Sequence, residues 1–247
     1  MLKEKHTIKG LLVFAILAFG AGTLLADYVA SKAEEDRPLA IVRRFKPDVV
    51  VKHADMDEWE KSEIGKPLFN NDTLRTDENG YAAVQFMDNS LLKIKPNSLL
   101  IIKGEVLGKN STATRLAVEI GEVFLNVTKR QSDFEVQTPT GVASVKGTSF
   151  ETLVGEDGSS TYSIYTGLVE VKALTSGQSV ELTRGKKASV DKGGNNINIS
   201  DLSNDEMEKN QSDYDDLEAG ARPKTLRLQF KNEAGQMREI EIQYFEN

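Results

Sequence analysis

The sequence predicts an all-β fold: a two-layer β-roll or sandwich with some solenoid character, preceded by one transmembrane helix and followed by an acidic linker and a C-terminal β-hairpin. Three observations carry this. Between residues 48 and 192, short runs alternate apolar and polar residues with a period of two, and no stretch shows helical periodicity. Glycines open several of these runs, as in Gly80-Tyr-Ala-Ala-Val, Gly121-Glu-Val-Phe-Leu, Gly141-Val-Ala-Ser-Val and Gly167-Leu-Val-Glu-Val, at spacings too uneven for a regular solenoid. A single uncharged apolar segment, Gly10 to Ala26, stands apart from the rest.

That segment follows Lys3, Lys5 and Lys9 and stops at Asp27. Its length sits at the short limit of the ~17–25 residues that a spanning helix needs and exceeds the ~7–15 of a signal-peptide core. Length therefore favours a helix over residues 10–30 that crosses the bacterial inner membrane once. The preceding lysines keep residues 1–9 in the cytoplasm and put the main domain in the periplasm. The alternative is a signal segment cleaved after Ala18-Phe-Gly20 or Ser31-Lys-Ala33, which releases the same domain to the periplasm.

Residues 31–47 are charged, carry Pro38 and Pro47, and read as a stalk, so the β domain is expected over 48–192. Within it, Val84 and Phe86 face Leu91, Leu92 and Ile94 across a Met87-Asp-Asn-Ser90 turn. Further strands are expected at 99–105, 114–120, 122–128, 133–138, 141–146, 149–154, 161–166, 168–173, 179–183 and 187–191. In the stretch Thr138-Pro-Thr-Gly-Val-Ala-Ser-Val-Lys-Gly-Thr-Ser-Phe150, Pro139 interrupts pairing and Val142 and Val145 bury. Gly147 then turns the chain so that Phe150 enters the core, and Thr148 hydrogen-bonds to the turn.

Composition removes several function classes. The chain has no cysteine, which excludes disulfides, thiolate catalysis and cysteine zinc sites. Its net charge of −7 arises around residues 200–220, where eight acids face Lys209 alone, and nothing forms the basic face that nucleic acid requires. His6 and His53 are the two histidines; His53, beside Asp55 and Asp57, reads as part of a surface loop. Asp72, Asp77, Glu78 and Asp88 lie near turns, where aspartate caps backbone, and lack the spacing of a calcium loop. No catalytic constellation is visible, and no metal or cofactor is expected.

The ordered pieces Trp59, Gly65-Lys-Pro-Leu68, Asp72-Thr-Leu-Arg-Thr76, Gly80 to Ser90, Gly121-Glu-Val-Phe124, Thr138 to Phe150 and Gly167-Leu-Val-Glu-Val171 resemble the FecR-like domain over about residues 48–192. The positions that carry the likeness are Asp72, Gly80, Asp88, Gly121, Thr138, Pro139, Gly141, Gly147, Thr148, Phe150 and Gly167. The resemblance implies a single-pass envelope regulator whose periplasmic part binds a protein partner. Nine residues before the helix are too few for the family's cytoplasmic sigma-regulating domain. Asp88-Asn-Ser90 replaces the family's Asp-Gly-Ser, a mild change because asparagine tolerates the left-handed conformation.

The acidic linker spans 193–223, with a short helix at 204–218, and a hairpin follows over 224–247. Leu226, Leu228, Phe230, Ile240, Ile242 and Tyr244 share one face of that hairpin and are the candidate partner-binding residues. A lone hairpin is marginal in water, so this face covers the protein's own sheet or a partner. The reading is a non-enzymatic protein-binding, scaffolding or signalling module that meets another envelope protein. A glycan-binding module, using Trp59, Tyr81, Tyr162 or Tyr165, and a polysaccharide lyase or hydrolase are the alternatives. The oligomeric state is left open.

Overall fold

Alternation of apolar and polar residues is what builds this fold, and the computed structural model describes it over residues 37–108, 111–129, 134–208, 222–231 and 236–246. Seventeen strands join one large mixed sheet, and two more form a separate hairpin. Their ladders fall into two series. The first contains β1 (Ala40–Lys46), β4 (Pro67–Leu68), β6 (Tyr81–Phe86), β7 (Leu91–Ile94), β12 (Ser149–Val154), β13 (Ser160–Thr166), β16 (Lys186–Val190) and β17 (Ile197–Asp201). The second contains β2 (Val49–Lys52), β3 (Glu60–Lys61), β5 (Asp72–Thr76), β8 (Ser98–Gly108), β10 (Phe134–Gln137), β11 (Gly141–Val145), β14 (Leu168–Ala173) and β15 (Ser179–Thr183).

The long strand β9 (Ser111–Asn126) belongs to both series. Its first part pairs with β8 and, in the one parallel ladder among the described residues, with β10; its second part pairs with β7 and β12. The sequence suggested two strands meeting at Gly121. The chain instead stays extended and turns there, at φ 100°, where a Cβ would lie 2.2 Å from Ser98 Oγ.

Buried residues of both series form one core cluster. Phe86 of β6 and Phe134 of β10 meet edge to face, 5.2 Å apart at 88°, so side chains of the two series interdigitate. In β11, period two carries Gly141, Ala143 and Val145 inward and leaves Val142 half-buried. Val142 and Val145 are three residues apart and cannot share a strand face, which corrects the expectation that both bury.

Two strands lie where the sequence suggested connecting chain. β1 falls within residues 31–47, expected as a stalk; Leu39, Ala40, Ile41 and Val42 are buried, and the strand pairs with β6 and β4. Its flanking prolines and Arg43-Arg44 disguised a short apolar run. β17 falls within 193–223, expected as a linker, and pairs with β16 along its whole length. After it, residues 204–208 form a short helix, α1.

The hairpin consists of β18 (Arg222–Lys231) and β19 (Met237–Glu246), in a register that sets Leu226 opposite Ile242 and Leu228 opposite Ile240. The proposed membrane helix, the cytoplasmic tail and residues 209–221 of the acidic linker lie outside the described residues. Among the described residues no helix is long and apolar enough to cross a membrane.

Candidate functional site

Two turns and one seat gather the residues singled out in the sequence. The first turn holds Thr138, Pro139 and Gly141. Pro139 is exposed at the tip, while Thr138 is buried, donates to the Gly141 carbonyl at 3.1 Å and accepts the Gly141 N–H at 3.0 Å. Beneath it the hydroxyls of Tyr162 and Ser160 reach Thr138 Oγ1 at 2.9 and 2.8 Å, and Thr140 Oγ1 lies 2.8 Å from Ser160 Oγ. A Cβ on Gly141 would stand 2.8 Å from the Tyr162 hydroxyl, so glycine is what lets the phenol into the network. Burial holds the ionisation of Tyr162 well above the ordinary tyrosine range, against the hydrogen bonds from Thr138 and Ser160. This is a neutral, self-satisfied network that locks a corner; it presents no group to a ligand.

The neighbouring corner works by packing. Gly147 at φ 66° and Gly167 at φ 78° take left-handed backbone, and Phe150 is fully buried. Thr148 was expected to hydrogen-bond to the turn, but its buried Oγ1 has no hydrogen-bond partner among the described residues. Its Cγ2 instead fills the space over Gly167, where a Cβ would be only 2.5 Å away. The methyl group, and not the hydroxyl, is what this position uses.

The second turn joins β6 to β7. Asp88 accepts from the Ser90 N–H at 2.8 Å and from Ser90 Oγ at 2.9 Å, and Asn89 adopts φ 68° as its side chain permits. Gly80 is required on steric grounds, since a Cβ would meet the Asp48 carbonyl at 2.4 Å.

Asp72 does more than its place near a turn suggested. Its buried carboxylate accepts from the Phe69 N–H at 2.8 Å and the Ala54 N–H at 3.1 Å, and lies 2.8 Å from His53 Nδ1. His53 therefore pairs with Asp72, while Asp55 and Asp57 stay exposed. The contacts with His53 and Ala54 pin the start of the loop that carries Trp59, and the contact with Phe69 caps the turn into β5. That indole is 38 % exposed and flanked by the Arg75 guanidinium, 4.7 Å from the ring centroid, and by Lys52 Nζ at 5.9 Å. Asp77 pairs with Arg75 at 3.2 Å and Glu78 is exposed. No group of three or more histidine or acidic side chains stands together as a metal site among the described residues.

Of the other aromatics proposed for glycan contact, Tyr162 is wholly buried and Tyr81 is 7 % exposed. That corrects both, since a ring packed under its own sheet cannot stack on a sugar. Tyr165 is half-buried against Phe124 at 6.1 Å.

The seat belongs to the hairpin. Leu226 and Leu228 are half-buried, while Thr225, Arg227 and Gln229 on the other face are exposed. Leu226 Cδ2 rests 3.1 Å from where a Cβ of Gly65 would stand, and β19 runs beside β1 without sharing a ladder with it. Gly65 takes φ 82° and donates to the Val42 carbonyl of β1 at 2.7 Å. The side chains of Phe230, Ile240, Ile242 and Tyr244 lie outside what is described.

Comparison with known proteins matches residues 72–170 to the family described as FecR protein. No curated protein is significantly similar. Two crystal structures of a proposed anti-sigma factor from Parabacteroides distasonis ATCC 8503 resemble the chain at 19 % and 18 % identity, with TM-scores of 0.47 and 0.46. Each match covers 54 % of this chain and 61 % of the other, so the chain spans about three fifths of the length of the solved chains it matches. The matched family segment begins at Asp72, the residue that pins the Trp59 loop, and runs through both corner turns into β14: residues 72–170 are a FecR domain.

Proposed function

We propose that this chain is a non-enzymatic signalling or scaffolding module of the bacterial envelope. It is held by an N-terminal helix over residues 10–30, with the FecR domain in the periplasm and the C-terminal hairpin presented to a protein partner. The observation that carries the reading is the hairpin, which forms its own two-stranded sheet and, among the described residues, meets the main domain around Gly65 and β1. An element with its own ladder and a half-buried apolar face suits exchange between the domain and another protein's sheet edge. The two-layer roll serves as the rigid platform. The lysines at 3, 5 and 9 and the uncharged stretch that follows support the anchor and its orientation.

Chemical cross-linking in intact cells, compared between the full chain and one lacking residues 222–247, tests the proposal. Specific capture of an envelope protein that disappears with the deletion, while the urea midpoint of the FecR domain holds, is the expected result. Loss of the domain's cooperative unfolding on deletion would make the hairpin a structural element and end the partner reading. A glycan reading retains Trp59 as its principal exposed ring, and Trp59→Ala lowering retention on peptidoglycan would favour it.

A further inference from the structure

A sheet resists pairing with other chains when its end strands are short, charged, interrupted by proline or covered. The end strands of the two series differ in this. β3 and β4 are two residues long, β4 contains Pro67, and β19 runs beside β1 at that end of the first series. β15 carries Glu181 at its centre, so a second β15 laid antiparallel on it would oppose two carboxylates. β17 has none of these guards. Its sequence Ile197-Asn-Ile-Ser-Asp201 includes no proline, glycine or lysine, and its one charge, Asp201, is paired with Lys186 at 2.5 Å.

The hydrogen bonds of β17 face one way. Alternate residues of an antiparallel strand bond its partner, and the others turn their N–H and C=O to the far side. Asn196 accepts from the Asp191 N–H at 3.2 Å and the Leu202 N–H donates to the Gly185 carbonyl at 2.8 Å, so the even-numbered residues bond β16. The backbone groups of Ile197, Ile199 and Asp201 therefore point outward, where no strand pairs with them among the described residues. Glu206 accepts from Lys187 Nζ at 2.6 Å and draws α1 back over β16, which leaves that edge open.

The second layer also stops short of β17. β15 packs beside β13 and β16. Ala188 of β16 is wholly buried, yet Ile199 opposite it is 51 % exposed and Ile197 is only half-buried. The strand with the unpaired backbone thus also bares an isoleucine.

We propose that β17 is a self-association edge: two copies pair β17 to β17, antiparallel about a two-fold axis at Ile199, and so join their first-series sheets. In this register the two Ile199 residues exchange both backbone bonds, as does each Ile197 with Asp201 of the second copy. Ile199 meets Ile199 on the bared face, and Asn198 stands opposite Ser200. Moving the axis to Asp201 would oppose two carboxylates and shorten the overlap. The occupant is a second copy because the edge is complementary to itself: its centre is apolar, and the charges nearest it, Asp201 with Lys186 and Glu206 with Lys187, are already paired within the chain. The pairing is independent of the hairpin's role toward a partner.

The chain has no cysteine, so single cysteines report this register without background. Asn198→Cys and Ser200→Cys are made separately in the full chain, in detergent, and mixed under mild oxidation. The mixture should give a disulfide-linked dimer, since a facing pair that exchanges no hydrogen bonds has Cα atoms ~4.5 Å apart. Either variant alone should link about tenfold less, because like positions lie ~8 Å apart, beyond disulfide reach. In sedimentation the unaltered chain should show a monomer–dimer equilibrium. Ile199→Pro removes the two central bonds of the pairing and none to β16, and should raise the dissociation constant about thirtyfold while the urea midpoint holds. Ile199→Lys should weaken the dimer as well, through two opposed ammonium groups, and serves if proline unfolds the edge. Equal linking in the single variants and the mixture, or a monomer at every concentration, overturns the proposal. So does a dimer indifferent to both Ile199 variants, which would assign association to another surface.

Discussion

Replacing Gly141 by alanine places a methyl group 2.8 Å from the Tyr162 hydroxyl and 3.3 Å from the Lys172 carbonyl. Gly141 does not occupy left-handed backbone, so the cost is steric and falls mainly on the phenol. Overpacking of this kind costs about 1–3 kcal/mol, reduced by the ~0.5 kcal/mol that alanine gains by restricting the unfolded chain. Tyr162→Phe alone removes the bond to Thr138 Oγ1, which keeps Ser160 and Gly141, and should cost about 1 kcal/mol. In the double variant the nearest remaining ring atom is Cε2, at the ordinary contact distance of 3.5 Å. Gly141→Ala should therefore cost much less once Tyr162→Phe has removed the hydroxyl, giving a coupling of about 1 kcal/mol or more. Urea unfolding followed by the fluorescence of Trp59, the one tryptophan, measures all four corners of the cycle. Additivity within about 0.5 kcal/mol would refute the idea that glycine at 141 makes room for the Tyr162 hydroxyl.

Thr148→Val should be neutral or stabilise by up to about 1 kcal/mol, because it keeps the methyl over Gly167 and removes a buried hydroxyl without a partner; a loss of cooperativity in thermal melts would contradict this. Asp72→Ala should cost about 3 kcal/mol, since the Ala54 and Phe69 amides and His53 all lose their acceptor, and a change below 1 kcal/mol in urea unfolding would remove the staple reading. The Lys187 ammonium and the Ser203 amide hold the carboxyl of Glu206 down to about 2, from an ordinary 4.5. Its lowered folded value means that its contribution to α1 is complete above pH ~4.5 and fades as pH falls toward ~2. An NMR titration of the Glu206 carboxyl should show that midpoint, and Lys187→Met should raise it. Leu226→Asp should speed hydrogen exchange in β18 and β19 while leaving the FecR domain's unfolding midpoint in place.

Legibility followed how far each residue's role was local. Turns set by their own side chains were readable: Asp88-Asn89-Ser90 caps and turns as its residue types demand, and the hairpin's alternation gave its two strands, whose register sets Leu226 opposite Ile242. What depended on distant partners was not. Asp72 looked like a turn acid because its contact with His53 is made across 19 residues, and Tyr162 looked available because nothing nearby says that the turn between β10 and β11 covers it. β1 was missed because a four-residue apolar run between a proline and two arginines becomes a strand only when β6 supplies the ladder. Thr148 shows the limit of residue-type reasoning, since the same side chain offers a hydroxyl and a methyl and only packing decides between them.

The shared strand β9 has a consequence for cooperativity. Pairing with β7, β8, β10 and β12, it is, among the described residues, the one element whose loss would strip a neighbour from both ladder series at once. Neither series can therefore open as an independent foldon, and amide exchange in β5 and β12 should report the same global event. The domain cannot be divided into halves that are each stable. A cut within β9 should yield fragments that regain structure only when mixed.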